Sequence, residues 1–429
     1  MKKLLQLTAI FIVTLNATET YTIDELILKA LKNAPELQIS AASVSASQSR
    51  LDQANANYLP SVDLSVSAGQ GGRSDIPTNP NTMITDTLIL GKLSLQQLVY
   101  DFGKTDALSD AFKYSSQSYA NDYQQLISDK KKNVKNAYYT VLQKLALIKV
   151  NEENVKLNKA QLYRSQKYFQ AGIRTKIDVS DAKVELIKSE IDLKNSQHNL
   201  ELSYANLDKE LGLTEIENDY KVYAQELDLT QLYSSLHNYA LSLNEAVNFA
   251  YTHRYELKKQ LSEQQVSQAQ YKNAKSGYYP SIFFNANYTK QKLDTFKDAL
   301  PQDQWQALVN LNVNLYKGGA TDAQTQEKSI NVKIANASMQ NSRLLIKAQT
   351  KQAYINVNKS KDSVELSQSL LKVSKEKFGQ ASKRYEHGLS DFIELQQARQ
   401  GYIDAMASLV ITYYNYYGSV SVLDNAIGK

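Results

Sequence analysis

Residues 22 to 212 are written a second time as residues 242 to 428. At an offset of 220, Glu25 matches Glu245, Ala30 matches Ala250, Glu36-Leu37 matches Glu256-Leu257, and Tyr58-Leu59-Pro60-Ser61 matches Tyr278-Tyr279-Pro280-Ser281. The offset then falls to 216, where Tyr100 meets Tyr316, Gly103 meets Gly319, Thr105-Asp106-Ala107 meets Thr321-Asp322-Ala323, and Gly172 meets Gly388. A single four-residue difference therefore lies between Pro60 and Tyr100. One design is used twice, with a linker at 213–241, and self-similarity of this kind decides the fold before any local reading does.

Within each half the hydrophobic period changes. From Thr105 to about Ala171, apolar residues such as Leu108, Phe112, Tyr119, Tyr123, Leu126, Val134, Tyr138 and Val141 recur every three or four positions, the mark of an amphipathic helix. None of the six prolines lies between 81 and 279, and no glycine interrupts the run before Gly172. Roughly 67 residues at 1.5 Å each make a rod of about 100 Å. Such a rod cannot wrap into a globule and must lie beside others. The expected long helices cover about 104–171 and 177–211 in the first half, and about 320–387 and 393–425 in the second. Gly172 and Gly388 read as the turns at the tips of two antiparallel hairpins, with Thr175 and Asp391 as the next N-caps.

After Pro60 and Pro280 the period becomes two. Val62, Leu64 and Val66 alternate with Asp63, Ser65 and Ser67, while Ile282, Phe284, Ala286 and Tyr288 alternate with Phe283, Asn285, Asn287 and Thr289. Strands are expected at about 60–70, 87–100, 280–290 and 304–317, separated by loop compositions around Pro77 and Pro80 and from Asp294 to Pro301. A soluble sheet with one wet face and a lipid-facing barrel wall are both compatible with this alternation. Four strands cannot close a barrel, and open edges are not tolerated in lipid, so the membrane reading demands several chains. Two copies would give eight strands filled by side chains, and three give twelve with room for a pore.

Met1-Lys2-Lys3 followed by the apolar run from Leu4 to Leu15 and by Asn16-Ala17 reads as a secretory signal over 1–17. Its loss takes the formal charge from +5 to +3, which with 44 acidic residues gives no nucleic-acid face. The signal and the strand length, about ten residues and suited to a tilted membrane strand, favour the barrel. Cysteine is absent, which excludes disulfides, thiolate metal sites and a lipidated N-terminal cysteine. His198, His237, His253 and His387 have no metal-ligand spacing. Neither a nucleophile–base pair nor a phosphate loop is visible, so no enzymatic activity and no cofactor are expected.

Taken together, the tandem halves, the Tyr58-Leu59-Pro60 and Tyr279-Pro280 strand starts, Tyr100-Asp101-Phe102-Gly103 and Tyr316-Lys317-Gly318-Gly319 before the long helices, and the glycine tips followed by Asp178-Val179 and Glu394-Leu395 resemble the TolC family of outer-membrane efflux and secretion channels. The resemblance covers nearly the whole mature chain. It implies a mainly α fold with β: tandem helical hairpins and strand pairs that form, as a homotrimer, a 12-stranded outer-membrane barrel and an α-helical periplasmic barrel. It implies a passive exit duct of a tripartite pump or type I secretion system for small toxic compounds or polypeptides. The implied partners are a periplasmic adaptor, an inner-membrane transporter of RND, ABC or MFS type, and outer-membrane lipid. Many relatives carry lipid on an N-terminal cysteine, so here the barrel is expected to be the sole anchor. An envelope coiled-coil protein and a diffusion porin are the alternatives. The former needs no Asn-lined strand pairs, and the latter no rods of about 100 Å.

The family's tunnel narrows at the hairpin tips, which makes Asp178, Asp181 and Glu394 the entrance candidates; threefold symmetry would turn each into a charged ring. Asp178 and Glu394 also sit where a carboxylate caps a helix. Asp181 lies beyond that position, and its second-half counterpart is Gln397. Tyr385 resembles a tip tyrosine able to reach a carboxylate such as Asp178, and it also suits a packing role. The basic residue common two positions after the second tip glycine is Ser390 here; Arg174 holds that place in the first half. The cluster Tyr413, Tyr414, Tyr416 and Tyr417 is expected to pack between helices.

Overall fold

The computed structural model describes residues 19–73, 84–214, 220–224, 232–234, 236, 239–293 and 303–429. The expected signal segment, the loops containing Pro77, Pro80 and Pro301, most of the linker, and His237 lie outside these residues. The chain begins with β1 (Glu19–Tyr21) and continues as α1 (Ile23–Asn33), α2 (Pro35–Asn55), β2 (Ser61–Arg73), β3 (Ile84–Tyr100), α3 (Lys104–Gln170) and α4 (Lys176–Leu211). After β4 (Tyr220–Val222) the series recurs as α5 (Leu243–His253), α6 (Tyr255–Lys275), β5 (Ser281–Leu293), β6 (Asp303–Asn312), α7 (Ala320–Glu386) and α8 (Phe392–Ile427). The paired helices have equal lengths of 11, 21, 67 and 36 residues. Their starts are specified alike. The Thr22 amide donates to Glu25 Oε2 at 2.7 Å and the Ser242 amide to Glu245 Oε2 at 2.8 Å, so each first helix opens on a capping box.

Compactness does not follow the repeat. One unit contains the chain up to Leu37 with Leu126–His253 and Ile346–Lys429, and the other contains Gln38–Gln125 and Arg254–Leu345. Each draws on both halves, so neither repeat is a globule of its own.

The second unit holds a four-stranded sheet of order β2-β3-β5-β6, antiparallel throughout. Its register sorts the side chains. Leu64 pairs with Leu93, Leu93 with Tyr288 and Tyr288 with Trp305; one row on, Val62 pairs with Leu95, Leu95 with Ala286 and Ala286 with Ala307. Directly paired residues share a face, so in these two rows one face is apolar from edge to edge, and the next row on that face, Val66, Gly91, Lys290 and Asp303, ends on an ion pair. The other carries Asp63, Ser94, Asn287 and Gln306 in one row and Ser65, Lys92, Thr289 and Gln304 in the next. Among the described residues neither face is covered: Leu64 and Val309 of the apolar face are 73% and 69% exposed, and Asp63 and Ser65 of the polar face are exposed. β2 and β6 are free edges among the described residues.

The strand expected over 304–317 ends at Asn312. Asn312 pairs with Ser281, where β5 begins, so residues 313–317 have no ladder partner among the described residues. β3 keeps its pairing to Tyr100, opposite Ile282, by means of a bulge after Leu98.

Within the same unit, each strand pair is tied to the helix that follows. The Tyr58 hydroxyl donates to Asp106, and the Tyr278 hydroxyl donates to Asp322 Oδ1 at 2.5 Å. Asp106 and Asp322 lie in the first turns of α3 and α7, where a carboxylate is favoured by the helix dipole. The chain reaches those turns through two successive left-handed residues, Phe102 and Gly103 in one half and Gly318 and Gly319 in the other.

Candidate functional site: the hairpin tips

In the first unit, α3 and α4 form one hairpin and α7 and α8 the other. Asn151 of α3 donates to Ser196 of α4, and Thr350 of α7 donates to the Ala426 carbonyl of α8 at 3.2 Å. The hairpins adjoin through α3 and α8, where Asn425 donates to Ser128 Oγ and Asp129 Oδ1, both at 3.0 Å. Tyr413, Tyr414 and Tyr416 of α8 are buried and join Tyr417 and Tyr139 in edge and tilted ring contacts of 5.2–5.6 Å. They pack.

Both tips end in the same turn. Ile173 N donates to the Tyr168 carbonyl at 2.9 Å and Gly172 N to Phe169 at 3.0 Å; Leu389 N donates to Arg384 at 2.8 Å and Gly388 N to Tyr385 at 3.1 Å. These are Schellman motifs, which need a left-handed residue after the helix. Gly172 and Gly388 both have φ +72°.

The acids divide by what they touch. Asp178 completes a capping box with Thr175, whose amide donates to Asp178 Oδ2 at 3.3 Å. At the other tip Asp391 accepts from the Glu394 amide at 2.8 Å. Glu394 does not return the bond; its carboxylate lies 3.3 Å from Arg384 Nε. Asp181 is exposed and forms no ion pair or hydrogen bond among the described residues.

Arg174 links the tips. Its guanidinium donates to the Ser390 carbonyl at 3.0 Å and stands 4.7 Å from the centroid of the Tyr385 ring. Tyr385 is 1% exposed and packs with Ala182, Phe392 and Leu395. Its hydroxyl is buried with no hydrogen-bond partner among the described residues, and no bond joins it to Asp178 in this chain. A second bridge lies beside it, with Arg164 Nη1 2.6 Å from Glu386 Oε1.

Sequence reasoning missed the polar layer above the tips. Asn154, Asn158, Gln161 and Ser165 of α3 are all buried. Their spacing of four, three and four is that of a coiled-coil seam. Asn158 Nδ2 donates to Asn154 Oδ1 at 3.1 Å and Gln161 Nε2 to Ser165 Oγ at 3.4 Å, while Asn158 Oδ1 and Gln161 Oε1 have no partner among the described residues. Arg399 of α8 is only 3% exposed and has no ion pair within 4.0 Å among the described residues. Burial holds its guanidinium below the usual range; Glu185 counters this and Arg164 adds to it. The available signal was the polar residues at the seam positions of an otherwise apolar stripe.

Among the described residues no helix is long and apolar enough to cross a membrane, and no group of three His, Cys, Asp or Glu side chains could hold a metal ion.

The sequence pattern of the outer membrane efflux protein family matches residues 26–213 and 247–429. No curated protein matches the sequence. The fold is similar to the outer membrane channel CmeC of Campylobacter jejuni (TM-score 0.81, 16% identity, 95% of this chain and 85% of that one). It is also similar to the outer membrane protein VceC of Vibrio cholerae (0.80, 17%, 95% and 96%) and to the open MtrE channel of Neisseria gonorrhoeae (0.75, 13%, 95% and 88%). The chain belongs to the outer membrane efflux protein family. It is a passive export duct of the outer membrane that extends into the periplasm.

Proposed function

We propose that three copies of this chain close into a 12-stranded barrel, continued by a periplasmic ring of helices, as the exit duct for an inner-membrane transporter and its periplasmic adaptor. The carrying observation is the sheet: one face with apolar rows that run across all four strands, rows of polar residues on the opposite face, and two edges unpaired among the described residues. Unpaired backbone groups cost several kcal/mol each in hydrocarbon, so β6 of one copy pairs with β2 of the next. The alternating strand directions keep that junction antiparallel.

The helices support the same closure. Two flanks stay apolar and exposed: Val184, Ile187 and Ile191 on α4, and Leu366, Leu370 and Val373 on α7. Both sets recur at heptad spacing. They suit an α4 to α7 contact between neighbouring copies.

At the entrance, Asp181 supplies a ring of three carboxylates that favours cations, while Asp178 and Glu394 chiefly cap and pair. Arg174, held on Tyr385 and Ser390, keeps the two tips together and the entrance narrow. The cargo is small toxic molecules or a secreted polypeptide. The test is deletion of the gene, with growth measured against dyes, detergents, metal ions and antibiotics beside an inventory of secreted proteins. Sensitisation or loss of one exported protein, together with co-purification of an adaptor with the trimer, is the expected result. A soluble periplasmic monomer contradicts the proposal.

A further inference from the structure

The apolar alternation of β3 inverts partway along the strand. Leu93 and Leu95 stand on the apolar face, in rows with Leu64 and Tyr288 and with Val62 and Ala286. Leu88 and Leu90 stand on the opposite face, where Leu90 pairs with Ser67 and Gln291, and Leu88 pairs with Gly69. A bulge would shift the phase by adding a residue, but the β2–β3 pairing runs unbroken from Ser61 and Gln96 to Arg73 and Ile84, and β3–β5 shifts only after Leu98. The register holds while the faces change character. Past the row of Leu64 and Leu93, the formerly apolar face carries Lys290 with Asp303, then Lys292, Thr87 and Gln70 beside Val66 and Ile89.

The two leucines lie on what is otherwise a polar wall. On their face the rows from Asp63 to Gln306 and from Ser65 to Gln304 separate them from Leu98, Phe283 and Leu308 at the helix end. Leu88 and Leu90 are partly exposed, and a Cβ placed on Gly69 beside Leu88 would meet no atom within 4 Å. The flank of the pair is therefore open. Lys92, in the next row, has Asp63 diagonally across on β2, a spacing within reach of a long side chain. These two charges offset each other, so what the place offers is apolar contact. A leucine that stays wetted gains little from burial, so packing within the sheet does not account for the pair.

We infer that Leu88 and Leu90, repeated around the threefold axis, form an apolar collar near the outer exit of the duct, which takes the alkyl or aryl portion of amphipathic cargo. The polar face is the lumen wall of the closed barrel, and the β2–β3 hairpin ends away from the helices, on the outer side. Twelve strands leave a bore wider than side chains fill, so the leucines line the passage without sealing it. Small amphipathic molecules gain from such a wall, and hydrated ions do not. The inference rests on closure of three copies with the polar face inward, and it narrows the cargo of that duct.

The test uses the full-length protein in planar bilayers. Alkyltrimethylammonium ions of increasing chain length are added on the outer side, and the half-blocking concentration is read for each. Burial of one methylene is worth about fourfold at full contact, so in wild type the affinity rises by up to that factor per added methylene. Leu88→Ser with Leu90→Ser brings the factor close to one, and Leu88→Ile with Leu90→Ile keeps it. Leu308→Ser, at the other end of the same face, leaves it as in wild type. Wild-type block that does not depend on chain length overturns the inference whatever the variants do, and so does an equal factor in wild type and the serine pair. A protein that forms neither trimer nor channel would instead count against closure.

Discussion

Arg174 lies 4.7 Å from the ring centroid of Tyr385, a cation held on an aromatic face across the two hairpin tips. Such contacts are worth about 0.5–2 kcal/mol, with the bond to the Ser390 carbonyl in addition. Arg174→Gln is expected to raise single-channel conductance in planar bilayers, and Arg174→Lys to raise it less. Equal conductance in all three proteins would remove Arg174 from the closure.

Tyr385 separates packing from polarity. Tyr385→Phe removes a buried hydroxyl that has no partner among the described residues and is expected to leave stability unchanged or raise it by about 1 kcal/mol. Tyr385→Ala opens the tip core at a cost of about 3–5 kcal/mol. Thermal melting of both variants checks the pair.

Lys130 is buried at 4% exposure, 2.6 Å from Glu36 and 3.2 Å from Glu210. The second half has Glu256, Ile346 and Ala426 at those positions, and Ile346 is fully buried. One repeat solves with charge what the other solves with packing. Lys130→Ala is expected to cost up to about 3–5 kcal/mol, less to the extent that half-exposed Glu36 is solvated. Lys130→Ile with Glu210→Ala imitates the second repeat and is expected to be near neutral. Urea unfolding followed by helical circular dichroism distinguishes them; equal losses contradict the account.

Stability should fall at both pH extremes. Hydrogen bonding to Lys130 holds the Glu36 carboxyl below its usual 4.5, and the backbone amides of Thr22 and Ser242 do the same for Glu25 and Glu245. A depressed carboxyl stabilises the fold above its unfolded pKa, and that contribution is lost as pH falls through the folded value. Burial raises several tyrosines, with Tyr139 pushed up to about 12. Raised groups stabilise fully below their unfolded value near 10 and lose that as pH rises further. Melting temperature against pH should show both flanks, with Glu36→Gln flattening the acid one.

The repeat, the rods and the tip glycines were legible because each rests on a local rule: period, an absence of breakers, and a left-handed turn. Thr175 and Asp178 formed the box their spacing suggested. The end of β6 was not legible, because the alternation through Tyr316 continues after the partner strand has ended at Ser281. Nor could spacing show that Arg174 reaches across to the other tip, or that Glu394 turns to Arg384 in place of its own helix start. Those outcomes depend on which side chain is nearer in space.

The central claim is closure by three copies, and the cysteine-free sequence gives a clean background for testing it. Single cysteines at Ser61, Asp63, Ser65 or Ser67 of β2, each combined with one at Gln304, Gln306, Leu308 or Asn310 of β6, are oxidised in native membranes. A disulfide forms only where Cβ atoms come within about 3.5–4.5 Å, and these two edges do not pair within one chain. The account predicts that at least one combination yields a covalent ladder on denaturing gels that stops at three chains. A ladder that stops at two or runs on past three, or no crosslink at any combination, would contradict it.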